Sequence, residues 1–265
     1  MRAGVDDADA YAETMSETRR LARSFEQTGA AYDRYRPSFP PAAVDVLVPD
    51  HVRAILDLGA GTGKLTELVH NRADHVFAVD PSAQMLAVLR DKLPAVDARD
   101  GTAESIPLPD ASVDTVVVAQ AFHWFDRDAA VTEIRRVLRR DGTLGLVWNG
   151  SHPDCAWDLA CAAVAHPRPV EDETAEHETT QDEDDVPGFR LRRVERIEWI
   201  ERLARADYIR RWHTVSTFLA ADEPTHARMT GEINAILDEH PATAGRMTLD
   251  LRQRTVVYVY DALPV

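Results

Sequence analysis

Asp57 opens a short run in which Gly59, Gly61 and Gly63 alternate with Ala60 and Thr62, and the next apolar run ends on a second acid, Asp80. Alternate glycines let a backbone turn tightly and lie against a ligand at a distance that a Cβ would forbid. A carboxylate at the tip of the following strand can accept two hydrogen bonds from the hydroxyls of a ribose. The pattern points to an adenosine-bearing ligand held where parallel strands end. Two other nucleotide loops fail on spacing. A phosphate-cradling loop requires G-x-x-x-x-G-K-[ST], but Leu58 stands at its first glycine and Leu65 at its hydroxyl. A dinucleotide loop requires G-x-G-x-x-G, and Lys64 occupies its third glycine.

A second run, Ala119-Gln120-Ala121-Phe122-His123-Trp124-Phe125-Asp126, joins one imidazole to three aromatic rings. An unperturbed imidazole titrates near pH 6.5, which makes His123 the candidate general base. The reading preferred here is that His123 organises the site through a hydrogen bond, with proton abstraction as the alternative. Phe122, Trp124 and Phe125 offer an apolar wall suited to a cation or to a flat organic molecule.

The elements that must position these residues follow from hydrophobic periodicity. Arg53–Leu58, Val76–Asp80, Pro94–Asp100, Val113–Ala119 and Thr143–Asn149 read as strands. Helices are expected between them at Lys64–Asn71, from a Ser82 cap through Met85, Leu86 and Leu89, and at Asp128–Arg139, closed by Asp141-Gly142. Such alternation means a parallel sheet with right-handed crossovers. Upstream, an apolar face over Leu21, Phe25 and Tyr32 and a helix opened by Pro41 precede the first strand. Downstream, Leu191–Trp199 and Thr255–Tyr260 read as strands, and Arg205–Phe218 and Thr225–Glu239 as helices. The expected organisation is a disordered tail over 1–18, N-terminal helices with a ligand-binding core over 19–150, a variable insertion over 151–190, and a stretch over 191–265 that completes the sheet and adds a helical cap. In the cap region Trp157, Tyr208, Trp212, His213 and Phe218 are candidate pocket residues that read more readily as core.

The chain has 265 residues and a formal charge of −15, which argues against a nucleic-acid partner because phosphate contacts rest on Lys and Arg. Glu171 to Asp185 carries nine acids and no base, the composition of a solvated mobile loop. No stretch approaches the roughly 18 apolar residues of a membrane span, and the polar start lacks a signal core. Cys155 and Cys161 are too few for a disulfide framework or a metal site, which suits reduced thiols in a cytoplasmic protein.

The D-x-G-x-G-x-G run from Asp57 to Gly63 resembles the first motif of the class I S-adenosylmethionine-dependent methyltransferases. Ala119 to Asp126 resembles the A-x-H-W-F segment of their small-molecule members of the ubiquinone-biosynthesis and trans-aconitate types. The resemblance implies a Rossmann-like α/β fold: a seven-stranded, mostly parallel sheet with helices on both faces, a last antiparallel strand between the fifth and sixth, and a helical cap. It implies S-adenosylmethionine as cofactor and S-adenosylhomocysteine as product. Asp57, Gly59, Ala60, Gly61, Asp80, Pro81 and Met85 would then surround the cofactor's ribose and turn. Thr102, Ala103 and Glu104 would line its adenine; Thr102 stands where relatives frequently carry Asp, so the Ala103 N–H is the expected contact and Glu104 a structural hydrogen-bonding residue. Main-chain atoms of Ala119 and Gln120 would face the amino-acid part. Tyr32 or Tyr35, with Arg36, resembles a segment that holds the cofactor carboxylate, for which an Arg fork is suited; an ordinary surface pair is the alternative. The partner implied is a small-molecule methyl acceptor, walled by Phe122, Trp124 and Phe125. A cofactor-binding catalyst that transfers no methyl group, cyclase-like on the same fold, is the alternative activity.

Overall fold

A computed structural model describes residues 29–166 and 186–264. The tail over 1–18, the start of the N-terminal helix and the acidic run Glu171 to Asp185 lie outside the described residues. The described chain runs α1 (Gly29–Tyr35), α2 (Pro41–Leu47), β1 (Val52–Leu58), α3 (Thr66–Val69), β2 (Ala73–Asp80), α4 (Ala83–Lys92), β3 (Asp97–Asp100) and β4 (Val113–Ala119). It continues through α5 (Arg127–Val137), β5 (Leu138–Ser151), α6 (Ala156–Ala165), β6 (Phe189–Ala204), α7 (Arg205–Trp212), α8 (Ser216–Ala220), α9 (Glu223–Glu239) and β7 (Thr248–Ala262).

The seven strands form one sheet in the order β3-β2-β1-β4-β5-β7-β6. Neighbours from β3 to β5 are parallel, and β7 runs antiparallel between β5 and β6. The chain winds outward from β1 to β3 and then returns to β4, so the helices that follow β1 and β4 lie on opposite faces of the sheet and a crevice is left at the carboxyl ends. Side chains alternate along each strand. Leu56, Leu58, Val116, Val118, Leu144 and Leu146 pack on one face against Ala130, Val131, Ile134 and Val137 of α5. Ile55, Val117, Val147, Val257 and Val259 pack on the other against α2 and α4.

Four local expectations are corrected. The helix expected at Lys64–Asn71 begins only at Thr66, because Gly59, Gly61 and Gly63 take φ of +72°, +54° and +82° and the turn they make lasts through Leu65. The third strand covers only Asp97–Asp100. The helix expected to reach Arg139 stops at Val137, and Asp141 at φ +65°, rather than Gly142, takes the left-handed conformation. The single helix expected at Arg205–Phe218 is two, α7 and α8. The break falls at His213-Thr214-Val215, where the β-branched Thr214 and Val215 disfavour helix.

β6 and β7 outrun the sheet. β5 pairs β7 only as far as Gln253, whereas β6 and β7 stay paired to Ala204 and Thr248. Leu249 and Leu251 on this extension join Trp157, Cys161, Tyr208, Trp212, Phe218, Met229, Ile233 and Leu237 in a third hydrophobic cluster. α6 to α9 therefore share one cap, clamped on the end of a long hairpin. Among the described residues no helix is long and apolar enough to cross a membrane.

Candidate active site

A cavity of about 710 Å³ opens at the carboxyl ends of the strands. Its walls come from the turn after β1, from Asp80 to Ser82 after β2, from Gly101 to Glu104 after β3, and from the segment after β4. Residues of α1 and of the cap close it from above. Of the residues expected at the site, Tyr32, Arg36, Gly59, Ala60, Gly61, Asp80, Pro81, Met85, Thr102, Ala103, Glu104, Ala119, Gln120, His123, Trp124 and Phe125 line it.

The glycines serve two different purposes. A Cβ on Gly59 would stand 2.7 Å from the Cβ of Ala121, so this glycine lets the loops after β1 and β4 touch. A Cβ on Gly61, which lines the cavity, would meet no protein atom within 4 Å. Asp80 ties the turn to β2. Its Oδ2 accepts from the Gly61 N–H and its Oδ1 from the Ser82 N–H, both at 2.8 Å. Each oxygen retains a further lone pair, so the carboxylate is oriented and still able to accept. Burial pushes its pKa up.

Two expected site residues do not line the cavity. Asp57 shares a face of β1 with Ile55 and so turns to α3, where its Oδ2 accepts from Thr66 Oγ1 at 2.6 Å. Its Oδ1 is buried with no partner among the described residues, and burial raises its pKa to about 7. Asp57 braces the turn from behind. Phe122 is 6% exposed and belongs to the core under α5, its ring edge-on to Phe125 at 5.9 Å. The short turn Phe122–Trp124 puts successive side chains on different sides, which sends Phe122 inward while His123 and Trp124 face the cavity.

Glu104 has the structural role expected of it: its Oε1 accepts from the Asp126 N–H at 2.9 Å, and Asp126 in turn caps α5. Gln120 is a non-glycine residue at φ +56°, a conformation such residues rarely hold. Its main-chain N–H bonds Val147 O, and its Nε2 donates to Asn149 O at 3.0 Å. Two anchors to β5 thus hold the turn out of β4. His123 makes no hydrogen bond among the described residues; its ring lies 4.7 Å from that of Trp124. Desolvation lowers its pKa.

Arg36 sits with its guanidinium 5.2 Å from the centre of the Tyr32 ring and donates from Nη2 to Thr214 O at 3.1 Å. Its Nε is buried without a partner among the described residues, and desolvation lowers its pKa. This is no exposed surface pair. Sequence reasoning missed Phe39, Asn149, His166, Val215 and Ser216, which also line the cavity. Val215 and Ser216 follow from the break between α7 and α8, whose signal was the β-branched run. Trp157, Tyr208, Trp212 and Phe218 are cap core, and His213 bonds Thr230 Oγ1; none of them lines the cavity.

A family profile described as a methyltransferase domain matches residues 56–146, from β1 to β5. An uncharacterized methyltransferase of Mycobacterium tuberculosis is 39% identical over 240 residues, covering 90% of this chain and 95% of the relative. The chain belongs to the class I methyltransferase family. A ubiquinone/menaquinone biosynthesis C-methyltransferase of Rubrivivax gelatinosus is 41% identical over 101 residues, covering 37% of this methyltransferase chain and 40% of that one. A solved structure from Anaeromyxobacter dehalogenans, provisionally assigned as a type II methyltransferase, superposes with a TM-score of 0.65 at 26% identity, covering 87% of this chain and 100% of that one.

Proposed function

We propose that the chain is an S-adenosylmethionine-dependent methyltransferase acting on a small organic acceptor. The observation that carries this reading is Asp80, held by the Gly61 and Ser82 amides in the wall of a cavity that also contains the buried, partly unsatisfied Arg36. Asp80 would accept from the ribose hydroxyls, the Ala103 N–H would meet the adenine edge, and Ala119, Gln120 and Arg36 would hold the amino-acid part. When bound, the cofactor supplies an electrophilic sulfonium methyl group. Trp124 and Phe125 exclude water and align the acceptor. His123, kept neutral at pH 7 by its lowered pKa, takes the proton of a hydroxyl or carbon-acid acceptor on a ring nitrogen. The cavity volume falls within the usual range for small-molecule sites. Both cysteines are free and buried, which accords with a cytoplasmic protein.

The test is calorimetry with S-adenosylmethionine followed by turnover of methyl-labelled cofactor over a metabolite panel. Release of S-adenosylhomocysteine with a labelled product is expected. Cofactor binding with none of that product across the panel would instead support a non-methylating catalyst.

A further inference from the structure

Arg211 lies on α7, 8% exposed, and does not line the cavity. Its Nε donates to Tyr35 O at 3.1 Å and its Nη2 to Glu201 Oε1 at 2.7 Å. Glu201 also accepts from Gln253 Nε2, which fastens it to β7. The carbonyl oxygen of Arg211 accepts from Thr214 twice, from the N–H at 3.0 Å and from Oγ1 at 2.7 Å. Thr214 O is the acceptor of the Arg36 guanidinium. Arg211 thus supports Arg36 in two ways: its side chain holds the backbone immediately before Arg36, and its main-chain carbonyl holds Thr214, to whose own carbonyl Arg36 is bonded. Glu201 is hydrogen-bonded to Arg211, and no carboxylate among the described residues is hydrogen-bonded to Arg36, which lines the cavity.

We infer that Arg211 is a positioning residue that fixes the direction of the Arg36 guanidinium and so sets recognition of the cofactor's carboxylate. The inference rests on the cofactor reading above. A guanidinium recognises a carboxylate through a planar fork, and the geometry counts only if the plane is held. Arg211 holds it through two acceptors on different elements, a span that the point charge of a lysine does not reproduce. The same link joins Val215 and Ser216, on the cap side of the cavity, to the cofactor end.

Calorimetry with three ligands tests this: S-adenosylmethionine, its decarboxylated analogue, and 5′-methylthioadenosine, which lacks the amino-acid part. The parent protein should bind S-adenosylmethionine about tenfold or more tighter than the decarboxylated analogue, the scale of one charge-assisted hydrogen bond. Arg36→Met should abolish that preference. Arg211→Lys should cut it to about threefold or less, leaving 5′-methylthioadenosine affinity within about twofold of the parent. The double variant Arg211→Met/Glu201→Gln removes the cation with its partly buried partner, avoids an orphaned charge, and should give the same pattern. Arg211 variants that keep the parental preference, or that weaken all three ligands in parallel, would overturn the positioning role. A parent protein that binds none of the three would overturn the cofactor reading and this inference with it.

Discussion

Asp57 and Asp80 are similar in sequence context and opposite in use. Both end an apolar strand, yet Asp80 turns to the cavity and Asp57 away from it. The Asp57 carboxyl, raised to about pKa 7, binds its proton more tightly folded than unfolded. Between about pH 4 and 7 the folded state therefore carries more protons, so stability falls as pH rises through that window and levels off above it. Asp57→Asn, neutral throughout, should lack that loss. Its stability relative to the parent should climb between pH 5 and 7.5 by on the order of 2 kcal/mol, read by urea denaturation across pH. A difference that does not vary with pH would show that the carboxylate is ionised at no cost. His123 yields the second residue-scale prediction. With its pKa below the usual imidazole value, activity towards a hydroxyl or carbon-acid acceptor should be flat at neutral pH and fall on the acid side below about pH 6.5. His123→Gln should lower kcat by about 10²–10⁴-fold and remove that limb while cofactor affinity holds. Retained activity with the limb intact would exclude proton transfer by this ring.

At the scale of elements, legibility tracked burial. β4, a continuous run buried on both faces, was readable to the residue, because such a strand announces itself by composition alone. β6 and β7 were under-read because their ends beyond the sheet interleave charged residues (Glu201, Arg202, Asp250, Arg252) with apolar ones, and only their pairing with each other there makes them strand. The glycine turn was legible as a turn, but not the contact it permits. Gly59→Ala should destabilise the protein by about 1–3 kcal/mol, since the new Cβ meets Ala121 and the φ of +72° is strained for any L side chain. A chemical denaturation midpoint equal to that of the parent would show that the β1 and β4 loops can part without cost.

At the scale of the molecule, the cavity proposed to hold the cofactor is shared among the sheet, α1 and the cap, so occupation should stabilise the whole chain. Saturation at a hundredfold over Kd is worth about 2.7 kcal/mol when only the folded state binds. S-adenosylmethionine should accordingly raise Tm by several degrees in thermal scanning. Asp80→Ala, which removes the proposed acceptor for both ribose hydroxyls, should weaken binding by about 2–3 kcal/mol and remove most of that rise. An equal rise in the folded variant would move the ribose elsewhere.

Asp57-x-Gly59-x-Gly61-x-Gly63, the Asp80 strand end and the β/α alternation determined the fold class, because each is a local demand of backbone geometry that few sequences meet by accident, and they carry the resemblance on which the proposed cofactor rests. Which of two acids at strand ends faces the cavity, which of three aromatics lines it and which is core, and how the cap reaches Arg36 were decided only by tertiary structure. Phe122 and Trp124 belong to one three-residue turn and differ only in the side they face. Tyr35 and Arg211 are far apart in the chain and meet only because β6 and β7 carry the cap back over α1. Long-range contacts of that kind leave no periodicity behind them, so only the folded chain reveals them.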